Sequence, residues 1–223
     1  MGISDLKGLF QKHVLHFTGL QLEHENVYSF VFKPETPFEW KAGQHGGLKV
    51  NGKGKPFTIA SSSKEGFLLI TTEVREDSDY KKALMNLKEN DTVTFMGPIG
   101  SFYIKDHSLP HLLVAEGIGI APYRSIIKQL LEDNLSLDTF HLVCLTDKPL
   151  YRDVWEEAKE KGAKIEFYDE ETSFKKRIKD YSSNLQQNGN FFVCGKPSFV
   201  KENVKFLNNL GIKKVHKDAF MGY

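Results

Sequence analysis

The segment Leu112-Leu113-Val114-Ala115-Glu116-Gly117-Ile118-Gly119-Ile120-Ala121-Pro122 decides the reading of this chain. Its first four residues form a wholly apolar run of strand length, and the two glycines break it. Pro122 then opens a helix, at a position where its missing N–H costs nothing. Beyond it, Ile126, Ile127, Leu130 and Leu131 share one helical face. A strand, a glycine turn and a helix in that order place free backbone N–H groups and a positive dipole end at the carboxyl end of the strand.

Toward the C-terminus the theme repeats. Phe140–Leu145 is an apolar strand, Val154–Lys161 a charged helix stopped by Gly162, Lys164–Tyr168 and Phe191–Cys194 further strands, and Phe199–Leu210 a helix stopped by Gly211. Apolar strands alternating with helices predict a parallel sheet covered on both faces, a doubly wound domain.

Toward the N-terminus the pattern differs. His13–Phe17, Val27–Phe32, His45–Val50, Pro56–Ser61, Phe67–Thr72 and Thr92–Met96 are rich in β-branched or aromatic residues, with turn chemistry at Lys33-Pro34, Asn51-Gly52-Lys53-Gly54 and Lys64-Glu65-Gly66. Six such strands predict a small antiparallel Greek-key β-barrel. One helix, Lys81–Leu87, follows the capping-type stretch Asp77-Ser78-Asp79. The expected organisation is therefore two domains, a barrel over residues 1–106 and an α/β domain over 107–223.

Composition narrows the function classes. The 223 residues are 40% hydrophobic, enough for a core without disulfides, and the formal net charge of +1 gives no field that would argue for nucleic acid or a membrane surface. No segment approaches a membrane span or a signal peptide, so a soluble, cytoplasmic protein is expected. Cys144 and Cys194, far apart in apolar runs, do not make a disulfide framework or an iron–sulfur ligand set. The eight histidines lack metal-ligand spacing, and no metal is predicted.

Three segments are candidates for ligand chemistry. Gly117, Ile118, Gly119 and Pro122 suit a pyrophosphate; the alternative is a turn that needs glycine only for geometry. Phe192-Val193-Cys194-Gly195 ends another strand on the same carboxyl edge, where Cys194 is either a neighbour of a bound ligand or a small core residue. Lys55-Pro56-Phe57-Thr58 offers a cation, an aromatic ring and a hydroxyl within four residues, which suits a phosphorylated aromatic cofactor and equally an ordinary strand.

Taken in order, these segments resemble the ferredoxin–NADP reductase superfamily of flavoproteins, from about residue 10 to the C-terminus. Ala42-Gly43-Gln44 precedes the flavin strand; Lys55-Pro56-Phe57-Thr58 stands where that family has Arg-x-Tyr-Ser/Thr; Gly97-Pro98-Ile99-Gly100-Ser101-Phe102 closes the barrel. The turn at Gly117–Pro122, the Cys194-Gly195 pair and the aromatic end Phe220–Tyr223 complete the set. The resemblance implies that Lys55 and Pro56 border the flavin phosphate, Phe57 packs on the isoalloxazine and Thr58 hydrogen-bonds near its reactive nitrogen. It makes Asp79, Tyr80 and Lys81 a second phosphate segment, gives the dinucleotide to Gly117, Ile118, Gly119 and Pro122, and sets Cys194 and Gly195 beside the nicotinamide. Phe220 or Tyr223 would cover the flavin ring, and Thr58, Cys194 and Tyr223 would stand at the reacting centre.

Three positions depart from that pattern. Lys55 replaces a forked guanidinium by a point charge, Phe57 lacks a phenol hydroxyl, and Glu116 puts a carboxylate beside the nucleotide turn. The implied activity is an NAD(P)H-dependent flavoprotein reductase carrying FAD, with FMN as the other option. Thr146 and Asp147 at the end of the second parallel strand favour NADH, because an acidic side chain there holds ribose hydroxyls; Lys148 and Arg152 leave NADPH open, and a solvated turn is the third reading. The acceptor is expected to be a separate molecule: ferredoxin, flavodoxin, a haem or iron–sulfur partner, or a small oxidant. A non-catalytic flavin sensor or an electron-transfer docking subunit is the alternative.

Overall fold

The computed structural model describes residues 7–185 and 188–220. It divides into two compact units, one running to Tyr103 and taking in Ala121–Gln129, the other made of Ile104–Ile120 and the chain from Leu130 onward.

The first unit holds strands β1 (Lys12–His24), β2 (Val27–Pro34), β3 (His45–Val50), β4 (Lys53–Thr58), β5 (Leu68–Glu73) and β6 (Thr92–Ile99), with helix α1 (Asp79–Met85) between the last two. The strands form one antiparallel sheet in the order β4-β3-β6-β1-β2-β5. Leu15 and Phe17 of β1, Phe30 and Phe32 of β2, and Val93 and Phe95 of β6 alternate inward and make the core with Leu48, Ile59 and Ile70. The two edges are drawn together past the end of β4, where the Ala60 N–H donates to the Leu69 carbonyl at 2.8 Å.

Two boundaries differ from the sequence expectation. The β3–β4 turn is the pair Asn51-Gly52, both at positive φ (48° and 80°), so Val50 pairs with Lys53 and β4 begins at Lys53 rather than Pro56. Asn-Gly suits a two-residue hairpin whose twist matches its strands, so Lys53 and Gly54 join the ladder. Helix α1 starts at Asp79 rather than Lys81, because Ser78 caps it by accepting from the Lys81 N–H at 3.3 Å.

The second unit holds β7 (His111–Glu116), β8 (Phe140–Leu145), β9 (Lys164–Tyr168), β10 (Asn190–Gly195) and β11 (Val215–Ala219), with helices α3 (Arg152–Glu160), α4 (Glu171–Leu185) and α5 (Pro197–Asn209). All five strands are parallel, in the order β11-β10-β7-β8-β9. Leu112–Ala115 of β7 are wholly buried, as a strand covered on both faces requires. Helix α4 and strand β11 had no counterpart in the sequence expectation. Helix α2 (Ala121–Glu132) follows β7, yet its first nine residues belong with the barrel.

Among the described residues no helix is long and apolar enough to cross a membrane, and no group of His, Cys, Asp or Glu is placed to hold a metal. Both cysteines are free and buried.

Candidate functional site

In the first unit the edge strand β4 carries Lys55, Pro56, Phe57 and Thr58. Pro56 is exposed, opposite Gly47, as an edge strand tolerates. Lys55 and Phe57 are half-buried, whereas Thr58 is 8% exposed. The Thr58 Oγ1 is buried with no hydrogen-bond partner among the described residues. An orphaned hydroxyl of this kind costs free energy unless a ligand completes it.

Helix α1 brings its own candidates to the same strand. The Tyr80 ring stacks on Phe57 at 5.9 Å, and its hydroxyl donates to the Leu48 carbonyl at 2.8 Å. Burial pushes the Tyr80 phenol up, so it stays a neutral donor. The Lys81 ammonium lies 4.8 Å from the centre of the Phe57 ring and donates to Thr72 Oγ1. Burial first, then the Arg75 and Lys55 charges, push the Lys81 ammonium down to about 8, with Glu73 opposing. Arg75 and Lys55 thus both bear on Lys81, and positive charge gathered beside Phe57 suits a phosphate. Arg75 had gone unnoticed in the sequence, where it is one charge in an exposed acidic and basic run. Asp79 is exposed, and its Oδ2 lies 3.9 Å from Lys53 Nζ.

Directly after Thr58 the chain is held by side chains. The Ala60 carbonyl accepts from Arg124 Nη1 at 2.9 Å, and the Ser61 carbonyl accepts from both the Trp40 indole (2.9 Å) and the Ser125 hydroxyl (2.6 Å). Arg124 also forks onto Glu65, with two bonds of 2.9 Å. None of these partners was foreseen; the signal available was Arg124-Ser125 in the first turn of the helix that Pro122 opens.

In the second unit the candidates gather at one point of the sheet. The chain leaves β7 for β8 and β9 on one side, and β10 and β11 lie on the other, so the sheet reverses direction between β7 and β10, the kind of crevice where doubly wound sheets bind ligands. Gly117 is in the left-handed region (φ 50°) with open space where a side chain would be. A Cβ at Gly119 would lie 2.6 Å from the Cys194 carbonyl oxygen, and one at Gly195 would lie 3.3 Å from the Glu116 Cβ. Gly117–Gly119, Glu116, Cys194 and Gly195 thus meet, with Ile118 half-buried among them. The backbone N–H of Phe220 donates to the Gly195 carbonyl at 2.9 Å, which brings Phe220 to the same edge. Tyr223 lies outside the described residues.

The other groups of this unit are less open. Cys194 is wholly buried, and burial pushes its thiol well up, so it is no nucleophile. Glu116 is half-buried, and its Oε2 is enclosed with no hydrogen-bond partner among the described residues. Thr146 and Asp147 lie one strand over, behind β8; the Thr146 hydroxyl accepts from the Lys148 N–H at 3.1 Å, and Asp147 is exposed. Pro122 is the buried second residue of α2.

No family model matches the chain. In sequence it is similar to the plasma membrane-associated coenzyme Q6 reductase of Saccharomyces cerevisiae, 31% identical over 52% of this chain and 41% of that protein. It is also similar to the flavohemoprotein of Vibrio cholerae, 25% identical over 90% of this chain and 57% of that protein. The chain thus spans about half the length of these curated relatives. Among solved structures, the flavohemoglobin of Malassezia yamatoensis with bound FAD and heme superposes with a TM-score of 0.77 at 20% identity, over 94% of this chain and 60% of that one. The ferredoxin–NADP+ reductase of Plasmodium falciparum superposes with a TM-score of 0.75 at 16% identity, over 93% of this chain and 95% of that one. The chain has the two-domain fold of the ferredoxin–NADP reductase superfamily, the family that its sequence resembles.

Proposed function

We propose that this protein is a flavin-dependent NAD(P)H oxidoreductase that passes electrons from a nicotinamide coenzyme through bound flavin to a separate acceptor. The observation that carries the reading is the buried Thr58 hydroxyl, without a hydrogen-bond partner among the described residues, on the strand that also bears Lys55 and the Phe57 ring over which Lys81 lies, on a chain whose parallel sheet also has a glycine turn at its switch point. The first unit is the flavin domain and the second the nucleotide domain. FAD is the preferred cofactor and NADH the preferred donor, with Asp147 exposed where the ribose hydroxyls would lie.

The residues present fit both ligands. Lys55, Arg75 and Lys81 neutralise the flavin phosphate, Phe57 supplies a flat apolar face and Thr58 a hydrogen bond to the ring. Gly117 leaves open space at the turn, Gly119 and Gly195 let the turn pack closely on the end of β10, and Phe220 stands at the same edge. When bound, the flavin supplies the redox chemistry, taking two electrons as hydride and releasing them singly or together. The protein orients, excludes water and places charge. The coenzyme Q6 reductase of yeast, the NADH-cytochrome b5 reductase 2 of Kluyveromyces lactis and the 2-halobenzoate 1,2-dioxygenase electron transfer component of Burkholderia cepacia are relatives by sequence, and their names support an electron-carrying role with a separate acceptor. A non-catalytic flavin module is favoured by one observation, the Glu116 carboxylate beside the glycine turn, whose Oε2 is enclosed without a hydrogen-bond partner among the described residues.

The test is an anaerobic titration of the FAD-loaded protein with NADH and, separately, NADPH, following flavin absorbance. Bleaching by either is the expected result, faster with NADH. A protein that holds flavin and is bleached by neither is the module instead.

A further inference from the structure

We infer that Arg124 and Glu65 are positioning residues for the flavin strand, a buried clasp that fixes Ala60–Ser62 and, through it, the hydroxyl of Thr58; this deepens the flavin reading and rests on it. The Glu65 carboxylate takes Arg124 Nη2 on Oε1 and Arg124 Nη1 on Oε2, each at 2.9 Å, and Oε2 also accepts from the Ser62 N–H at 2.8 Å. The Arg124 Nη1 that bonds Glu65 donates to the Ala60 carbonyl as well. The two side chains are only 11% and 10% exposed.

Burying two charges is a poor way to gain stability, because an apolar pair of similar volume serves as well or better. What the pair does supply is directional: a planar fork matched to a carboxylate, with a spare N–H aimed at one carbonyl. The next residue, Ser125, ties the next carbonyl, that of Ser61. On its other side the segment is fixed by Ala60 N–H to the Leu69 carbonyl at 2.8 Å, and by the Ser61 hydroxyl, which donates to the Phe67 carbonyl at 2.7 Å and accepts from the Leu69 N–H at 3.0 Å. Upstream, the Ile59 N–H donates to the Gln44 carbonyl at 3.0 Å. The chain from Ile59 to Ser62 is therefore bound on each side, and Thr58, one residue earlier, has no freedom to slide along its strand. Arg124 and Ser125 both lie in Ala121–Gln129, the part of α2 that belongs to the barrel unit.

Three variants of the full chain test this: Arg124→Lys, which keeps the charge and loses the fork, Glu65→Gln, and Ser125→Ala, which removes one hydroxyl. Each is loaded with FAD and compared with the wild type for the flavin absorption spectrum, FAD dissociation constant, melting temperature and rate of anaerobic bleaching by NADH. Arg124→Lys and Glu65→Gln are expected to shift the flavin bands and slow bleaching by about tenfold or more, as displaced catalytic geometry does, with Ser125→Ala moving the same way by less. A lowered melting temperature with the wild-type spectrum and bleaching rate overturns the inference, since the clasp is then structural only. Should the two charge variants fail to fold, Ser125→Ala decides on the same readouts. A wild type that holds FAD without being bleached refutes the reductase reading alone, and the spectra still decide the clasp. A wild type that takes up no FAD overturns both.

Discussion

The candidate groups of the barrel unit are side chains, Lys55, Phe57, Thr58, Arg75 and Lys81, whereas those of the parallel-sheet unit are mostly places where a side chain is missing, Gly117, Gly119 and Gly195. Charge recognition on an edge strand needs cations brought in from another element, here Lys81 on α1. Recognition at a strand end uses the backbone itself, and needs only that no Cβ intrude. The same contrast runs through the buried titratable groups. Burial lowers Lys81 to about 8 in the first unit and His111 to about 4 in the second, so the two groups change charge on opposite sides of neutrality.

The largest effect expected from this contrast is on acid stability. His111 is wholly buried, stacked on Phe140 at 4.4 Å, and its folded-state value lies below that of an unfolded histidine. The unfolded chain therefore binds more protons between about pH 6.5 and 4, and stability that is complete above that window is lost through it, by on the order of 3 kcal/mol. His141, also lowered to about 4, shares the window. Urea midpoints at pH 7 and 4.5 should separate less in His111→Phe than in the wild type; an unchanged separation refutes the assignment.

Next comes the backbone cradle. Gly119→Ala puts a methyl 2.6 Å from a backbone oxygen, and overpacking of this sort costs about 1–3 kcal/mol. Gly117→Ala meets open space and bears only the left-handed backbone, roughly 1 kcal/mol. Coenzyme affinity by calorimetry should fall further in the first variant; equal losses would mean that the close approach to Cys194 is not what the turn requires.

In the barrel, Lys81→Met should weaken FAD binding by about tenfold, the worth of a charge-assisted hydrogen bond. It should also flatten the pH dependence: in the wild type, affinity falls as pH rises through about 8, where the ammonium loses its proton. A fluorescence titration at pH 7 and 9 that gives the same ratio in both proteins excludes Lys81 from the phosphate site. The smallest effect belongs to Glu116→Gln. Removing the Glu116 charge beside the glycine turn should tighten NADH binding by about threefold, the scale of a partly screened charge. Weaker binding instead would show that Glu116 accepts a hydrogen bond from the coenzyme.

Much of the fold was legible because its periodicities are local. Leu112–Ala115 and Phe191–Cys194 are uninterrupted apolar runs, and their short length with glycine soon after each marks them as strands covered on both faces rather than helix segments. Helix α4 was legible in principle, since Phe174, Ile178 and Tyr181 recur at helical spacing, but a surrounding run of charges masks them. Strand β11 was not, because it is an edge with only Val215 and Ala219 apolar, and its pairing with β10 is a tertiary event.

For the site, residue type alone left Gly117 and Gly119 as an ordinary tight turn and Lys55 and Thr58 as an ordinary strand; their place in the order of segments, and the family resemblance that order carries, made them candidates. The sequence by itself therefore determined the two-domain architecture and singled out the segments proposed for ligand chemistry. Tertiary structure alone decided that Gly119 lies against Cys194, that Lys81 and Arg75 join Lys55, and that Arg124 reaches Glu65 and Ala60. Those pairs are separated by dozens of residues in most cases, and a hydrogen bond or a close approach between distant segments is set by how sheets and helices pack, which no local spacing encodes.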